Sequence, residues 1–307
     1  MTSVAPGAPS KRRLLPWIAL VVVWVVWGST YLGIRVVVHE MPPLYTAALR
    51  FLCAGLLMGG VALVVDRGAG WPDRRQWLDY CFIGVLLLAA GNGFVMWAEK
   101  TIPSGTAALI VATVPVWILL LDGLRPGGQP WTGRVWIGTT IGLAGVALVA
   151  RPEAGMDAGH WPAIVGLQVA CHSWTIGARY AQSVPKRLPI ASAAAIEMLA
   201  GSLVLGALGW LFAEDASRLW SASPRAWGAV AYLVVFGSLV GFTAFAYCLN
   251  ELPASTVGTY AYVNPVVAVL LGWLVLREPV TPGLVTGGLL IVASVVTTTW
   301  PRGESRR

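Results

Sequence analysis

A chain of 307 residues has about the length of two soluble domains, but 57% of its residues are hydrophobic and only 11% are charged, against about 25% in a soluble domain. So few ionic groups cannot cover a soluble surface of this size, and 16 Trp with 35 Gly suit membrane interfaces and closely packed membrane helices. The net charge of +7 does not point to nucleic acid, because the basic residues are spread thinly between apolar runs and form no patch.

Charges punctuate the chain into spans. In order, the apolar segments are Leu14–Ile34, Pro43–Val65, Tyr80–Ala98, Thr101–Leu121, Val135–Ala150, Trp161–Ala178, Pro189–Phe212, Ala226–Asn250, Leu252–Leu276 and Val280–Pro301. Six of them are free of charge over 19 to 25 residues, matching the roughly 20 residues that cross about 30 Å of hydrocarbon. Val135–Ala150 and Trp161–Ala178 become full spans with Arg134 and Arg179 snorkelling at their ends, while Arg50 and Glu197 lie inside the second and seventh segments. The sequence therefore predicts an all-α polytopic membrane protein of ten transmembrane helices. Lys11, Arg12 and Arg13 before an apolar run resemble a signal peptide, but the run is too long and lacks a small-residue cleavage site. It reads as the first helix.

With residues 1–13 and 301–307 as cytoplasmic tails, thirteen Lys and Arg fall on the cytoplasmic side and five outside. That asymmetry predicts both termini inside an inner or plasma membrane. Cys53, Cys81, Cys171 and Cys248 sit apart in apolar segments and form neither a metal pattern nor a disulfide framework.

The chain also repeats. At an offset of 150, Gly91, Pro103, Thr106 and Pro115 match Gly241, Pro253, Thr256 and Pro265; at 147, Trp27 matches Trp174 and Arg50 faces Glu197; at 149, Pro130, Thr132 and Gly138 match Pro279, Thr281 and Gly287. Five helices per half, 14–150 and 161–300, force the second half to enter the membrane upside down. Such inverted-topology repeats hold a site near the midplane around a central cavity.

Three segments, WGSTYLGIRVVVHEMPPLYTAALRFLCAG (Trp27–Gly55), GNGFVMWAEKTIPSGTAALIVATVP (Gly91–Pro115) and TYAYVNPVVAVLLGWLVLREPVT (Thr259–Thr281), closely resemble the drug/metabolite transporter superfamily, and most of all its EamA-type exporters. The resemblance covers nearly all of residues 14–300. It implies two five-helix repeats around a central cavity that moves small metabolites or drugs. One departure is visible: the family's Gly-Glu-Pro-like helix end stands as Arg277-Glu278-Pro279 in the second half but as Gly128-Gln129-Pro130 in the first.

Catalytic, metal-binding and phosphate-cradling motifs are absent, so no cofactor is expected. Gly55/Gly59, Gly138/Gly142 and Gly237/Gly241 have the spacing of close helix packing. In helix six Gln168, His172, Thr175 and Arg179 share one face, which must meet either a cavity or another helix. Helix nine carries Thr256, Tyr260 and Asn264, with Pro265 removing the amide that would donate to Ala261; Pro115 does the same to Val111 in helix four. Kinks at matching depths serve either structure or a polar ligand.

Helix one offers Trp24, Trp27, Tyr31 and Arg35, and helix three Asn92 and Trp97, the latter read mainly as an interface residue. Aromatic walls suit amphipathic or cationic solutes. The substrate-contact candidates are thus Trp27, Tyr31, Asn92, Gln168, His172, Tyr260 and Asn264. Arg50, Glu197 and Glu99 are the coupling or gating candidates. At 1.5 Å per residue Arg50 and Glu197 differ in depth by roughly 8 Å, so only the long arginine could close an ion pair.

The expected activity is secondary export of small organic solutes by alternating access, with protons as a candidate coupling ion, the bilayer as solvent, and a monomer or homodimer as the assembly. A membrane-embedded transferase acting on lipid-linked substrates is the alternative; a scaffolding protein would leave the paired kinks and polar stripes unexplained.

Overall fold

The computed structural model describes residues 11–68, 70–124, 132–149, 158–185, 187–252 and 254–299. Gln129, Pro130, Lys186, Pro253 and the two tails beyond residues 11 and 299 lie outside them, as do Arg125 and Arg151. Regular structure among the described residues is entirely helical. We number the helices α1 (Lys11–Val38), α2 (Pro43–Val65), α3 (Arg74–Ala98), α4 (Ser104–Gly123), α5 (Gly133–Val149), α6 (Trp161–Ser183), α7 (Ile190–Leu211), α8 (Pro224–Cys248, continuing to Glu251), α9 (Tyr260–Leu271, continued by a π-helical turn Gly272–Leu276) and α10 (Pro282–Thr299).

Helices α1, α2, α3, α4, α7 and α8 contain stretches long and apolar enough to cross a membrane by length and composition, and α5, α9 and α10 contain shorter apolar ones. The 23-residue α6 is long enough but carries Gln168, His172, Ser173 and Arg179. Outward-facing side chains are themselves apolar, among them Leu63, Val65, Leu203, Trp210 and Leu274. In water this would be a costly surface; against lipid tails it is the expected one.

Local sequence sets the helix ends. Proline stands in the first turn of α2, α6 and α8, where its missing amide costs nothing. Asp73 and Gln76 form a capping box at α3. Arg277, left-handed at φ 55°, ends α9. Carboxylates from elsewhere in the chain cap other helices. Asp66, just past α2, accepts from Ser192 N (3.0 Å) and Oγ (2.7 Å) in α7. Glu214, just past α7, accepts from Leu44 N (3.0 Å) and Tyr45 N (3.1 Å) in α2. Each partner of the α2–α7 pair thus caps the other, satisfying donors that a helix start leaves open.

Helix α2 packs along α7, and α5 along α10; α1 lies against α8 and α9, and α6 against α3 and α4. Glycines set the closest approaches: a Cβ on Gly84 would lie 2.2 Å from the Glu197 carbonyl oxygen, and one on Gly145 2.7 Å from that of Gly287. Two helices change period midway, α3 over Val85–Asn92 and α8 over Leu233–Val240, both π-helical. Each such segment turns its side chains out of the α register where the helix meets the interior.

The predicted spans differ from the helices mainly at the ends. The ninth predicted segment, Leu252–Leu276, is not one helix: Ala254–Val257 forms its own turn and Gly258–Thr259 break the path before Tyr260. Thr256 therefore does not stand one turn below Tyr260 on a common helix face. Arg134 and Arg179 do not simply snorkel: Arg134 donates to the Thr297 carbonyl, and Arg179 pairs with Asp122.

Candidate functional site

Seven helices, α1, α2, α3, α4, α6, α8 and α9, line a common cavity, the kind of concave, mostly apolar place in which small-ligand sites form. Its wall includes Trp27, Thr30, Tyr31 and Ile34 from α1, Arg50 from α2, and Gly91, Asn92 and Val95 from α3. Val111, Ala112 and Val114 come from α4, Ala170, Cys171 and Trp174 from α6, Gly237 and Phe242 from α8, and Tyr260, Ala261, Asn264 and Pro265 from α9. The two π-helical segments supply Gly91, Asn92 and Gly237.

Trp27 is the hub. Its indole N–H donates to the Gly237 carbonyl (3.3 Å), and its ring centroid lies 4.8 Å from Phe245, 5.5 Å from Tyr260, 5.7 Å from Phe242 and 6.3 Å from Trp174. The edge-on arrangement with Tyr260 and Trp174, near 90°, is the favoured one for quadrupolar rings. A Cβ at position 241 would lie 2.4 Å from Trp27 Nε1, so glycine is what admits the indole. Asn264 is 7% exposed, and its amide nitrogen donates to the carbonyls of Tyr260 (3.2 Å) and Trp24 (3.1 Å), tying α9 to α1.

The two prolines act differently. Pro265 sits inside α9, which continues through it. Helix α4 instead breaks at Ala112–Thr113, and Pro115 stands in the first turn of its second half, Val114–Gly123. Val111 and Ala112, at that break, face the cavity.

Gln168 and His172 stand apart from the other contact candidates. The cavity face of α6 is Ala170, Cys171 and Trp174; His172 lies with its ring 4.2 Å from that of Trp117 on α4, its Nδ1 2.6 Å from the Gln168 carbonyl oxygen. The period of the stripe fixed a common face, and the rotation of α6 turns that face toward α4.

Arg50 and Glu197 form no ion pair. Arg50 donates from Nε to Ser238 Oγ (3.0 Å) in α8, whereas Glu197 is partly exposed on α7. Glu99, beyond the end of α3, is fully buried, and neither carboxylate oxygen has a hydrogen-bond partner among the described residues. Its backbone carbonyl accepts from Arg35, which also pairs with Glu278 at 3.7 Å. Glu278 in turn caps α4, accepting from Ser104 Oγ (2.7 Å), Ser104 N (2.9 Å) and Gly105 N (3.3 Å). At the opposite end of α4, Asp122 pairs with Arg179 of α6 at 2.5 Å. One ion pair thus holds each end of the broken helix.

Trp174, Phe242 and Ser238 are site residues that sequence reasoning passed over. A signal existed for two: Trp174 is the repeat match of Trp27, and Phe242 stands 150 positions after Asn92. Among the described residues no group of three His, Cys, Asp or Glu is placed to hold a metal, and the four cysteines are free thiols.

A helical membrane protein built around an enclosed aromatic cavity has the form of a solute carrier, and the comparisons with known proteins agree. The EamA-like transporter family matches the chain twice, over residues 15–151 and 161–300. The "Uncharacterized inner membrane transporter YedA" of Escherichia coli K12 is 40% identical over 264 residues, covering 85% of this chain and 83% of its own. An "Uncharacterized transporter" of Archaeoglobus fulgidus is 25% identical, covering 91% and 96%. A solved structure titled "Crystal structure of protein" shares the fold, with a TM-score of 0.64 at 20% identity over 93% of this chain and 98% of its own.

The protein is a membrane transporter. The chain belongs to the EamA-like transporter family, within the drug/metabolite transporter superfamily. The transferase alternative falls with that membership, since the family is one of transporters rather than enzymes.

Proposed function

We propose that the protein is a secondary transporter of the inner membrane that exports small organic solutes with apolar bodies by alternating access. Its ten spans, α1 to α10, form two inverted five-helix repeats, 14–150 and 161–300, with both termini cytoplasmic. Paired contacts support the repeat: α1 against α9 and α8 mirrors α6 against α4 and α3, while α2–α7 and α5–α10 are pairings of equivalents. The reciprocal caps from Asp66 and Glu214, and the π-helical segments of α3 and α8, repeat the same relation.

The observation that carries the transport reading is the aromatic cavity between the halves, flanked at either end of α4 by an ion pair. In this reading Arg35–Glu278 closes the outer path and Arg179–Asp122 the inner one. The break at Ala112–Thr113 lets the two halves of α4 move separately. Trp27, Tyr31, Asn92, Tyr260 and Asn264 hold the solute; Gln168 and His172 support α6 against α4. No nucleotide-binding motif is present, so an ion gradient, exchange or downhill flow supplies the energy. Glu99 and Glu197 are the carboxylates for any proton step, because ionisable groups at membrane depth are costly unless used.

A solute panel loaded into proteoliposomes of the purified protein tests this. Protein-dependent release of one solute class is expected. Asn264→Ala removes a hydrogen bond from the solute to the Asn264 amide oxygen, worth about 0.5–1.5 kcal/mol net, and weakens its apparent affinity roughly three- to tenfold. If Asn264→Ala and Tyr260→Phe lower only thermal stability and leave affinity unchanged, the cavity is not the solute site.

A further inference from the structure

The cavity wall is mostly aromatic and apolar, with Thr30, Asn92 and Asn264 among its neutral polar side chains and a single charge. Among its described lining residues there is no Asp, Glu, Lys or His; the charge is Arg50. Arg50 is 3% exposed. Its Nε is held by Ser238 Oγ at 3.0 Å and its guanidinium carbon lies 4.8 Å from the Phe51 ring centroid, while Nη1 is buried with no hydrogen-bond partner. Glycine at 237 leaves room for the group, since a Cβ there would lie 3.0 Å from Nη2. Arg50 enters no ion pair among the described residues, Glu197, its repeat equivalent, included.

A buried guanidinium is costly until a counter-charge meets it, and its planar fork fits a carboxylate. We infer that Arg50 anchors the anionic group of the solute, which makes the substrate class small organic monoanions: a carboxylate on an aromatic or apolar body. This rests on the reading of the cavity as the solute site. Ser238 and Phe51 fix the guanidinium, and Trp27, Trp174 and Tyr260 receive the apolar body. The same charge repels the cationic solutes that aromatic walls alone would favour.

Binding of phenylacetate, phenylacetamide and phenethylamine to the purified full-length protein decides the matter. Phenylacetate binds roughly tenfold to a hundredfold tighter than the isosteric amide, the span of a charge-assisted hydrogen bond, and the amine binds weakest. Arg50→Gln abolishes that preference, and Arg50→Lys retains part of it. The ranking of the three probes on the unmodified protein stands even if Arg50→Gln fails to fold. Equal binding of the three, or none by phenylacetate, overturns the anion inference. Trp27→Ala separates the two readings. If it weakens every probe while no carboxylate preference exists, the cavity holds and the anion anchor falls. If Trp27→Ala leaves the affinity of every probe unchanged, the site lies outside the cavity, and both fall.

Discussion

Glu278 holds four groups at once: the Ser104 amide and hydroxyl, the Gly105 amide, and the Arg35 guanidinium. Glu278→Gln keeps the size and one acceptor oxygen but removes the charge. Hydrogen bonds to charged groups contribute about 1.5–3 kcal/mol against about 0.5–1.5 for neutral ones, so losing charge assistance on the strongest of them costs about 1–1.5 kcal/mol. The 3.7 Å ion pair adds under about 1 kcal/mol, as both side chains keep some solvent contact. If the latch is made only when the outer path is closed, this cost acts on the closed state alone. At 1.4 kcal/mol per decade the combined loss of about 1–2.5 kcal/mol raises the open population about five- to sixtyfold. The assay is labelling of a single cysteine at Ile34, in the cavity wall, by an impermeant reagent from outside, with the four native cysteines replaced by alanine. Faster labelling in Glu278→Gln is the expected result. Unchanged labelling with a lower Tm would show that Glu278 is only a helix cap.

Gly84→Ala puts a Cβ 2.2 Å from the Glu197 carbonyl oxygen and 2.6 Å from its Cα; backbone cannot yield cheaply, so a loss of about 1–3 kcal/mol is expected in thermal unfolding. Gly60→Ala, which meets nothing within 4 Å, should be neutral or stabilising, and equal Tm values for the two variants would contradict the packing. The Ser223 amide and hydroxyl hold the Glu40 carboxyl below its ordinary range. That cap therefore stabilises above the ordinary carboxylate range and is lost as pH falls through the lowered pKa. Glu40→Gln should lower Tm at neutral pH and flatten the fall on the acid side; an unaltered acid limb argues against the cap. If Glu197 carries the coupling proton, Glu197→Gln makes transport indifferent to an imposed pH gradient while solute still binds, whereas solute-driven proton flux persisting in the variant excludes it.

The spans were legible because apolar length and charge punctuation are local properties: Pro43–Val65 is one helix with the predicted bounds, and Ile190–Leu211 lies within one residue of its predicted ends. Five of the seven contact candidates, Trp27, Tyr31, Asn92, Tyr260 and Asn264, stand together in one wall, because the repeat pointed to the depth at which the helices meet. Gln168 and His172 do not, since a helical period defines a face without saying which neighbour it turns to. The π-helical segments of α3 and α8 were invisible, as nothing in VLLLAAGN or LVVFGSLV departs from an ordinary apolar helix. The caps from Asp66, Glu214 and Glu278 were equally hidden, each acting on a residue more than a hundred positions away.

The inverted relation between the halves is the claim on which the paired caps, the two latches and alternating access all depend. Arg75 and Arg225 stand 150 positions apart, near the starts of α3 and α8. Single cysteines at these two sites, labelled by an impermeant reagent in intact cells and in inside-out vesicles, test it directly. Position 75 should react only from the cytoplasmic face and position 225 only from the outside. Labelling of both from the same face would contradict the inverted repeat.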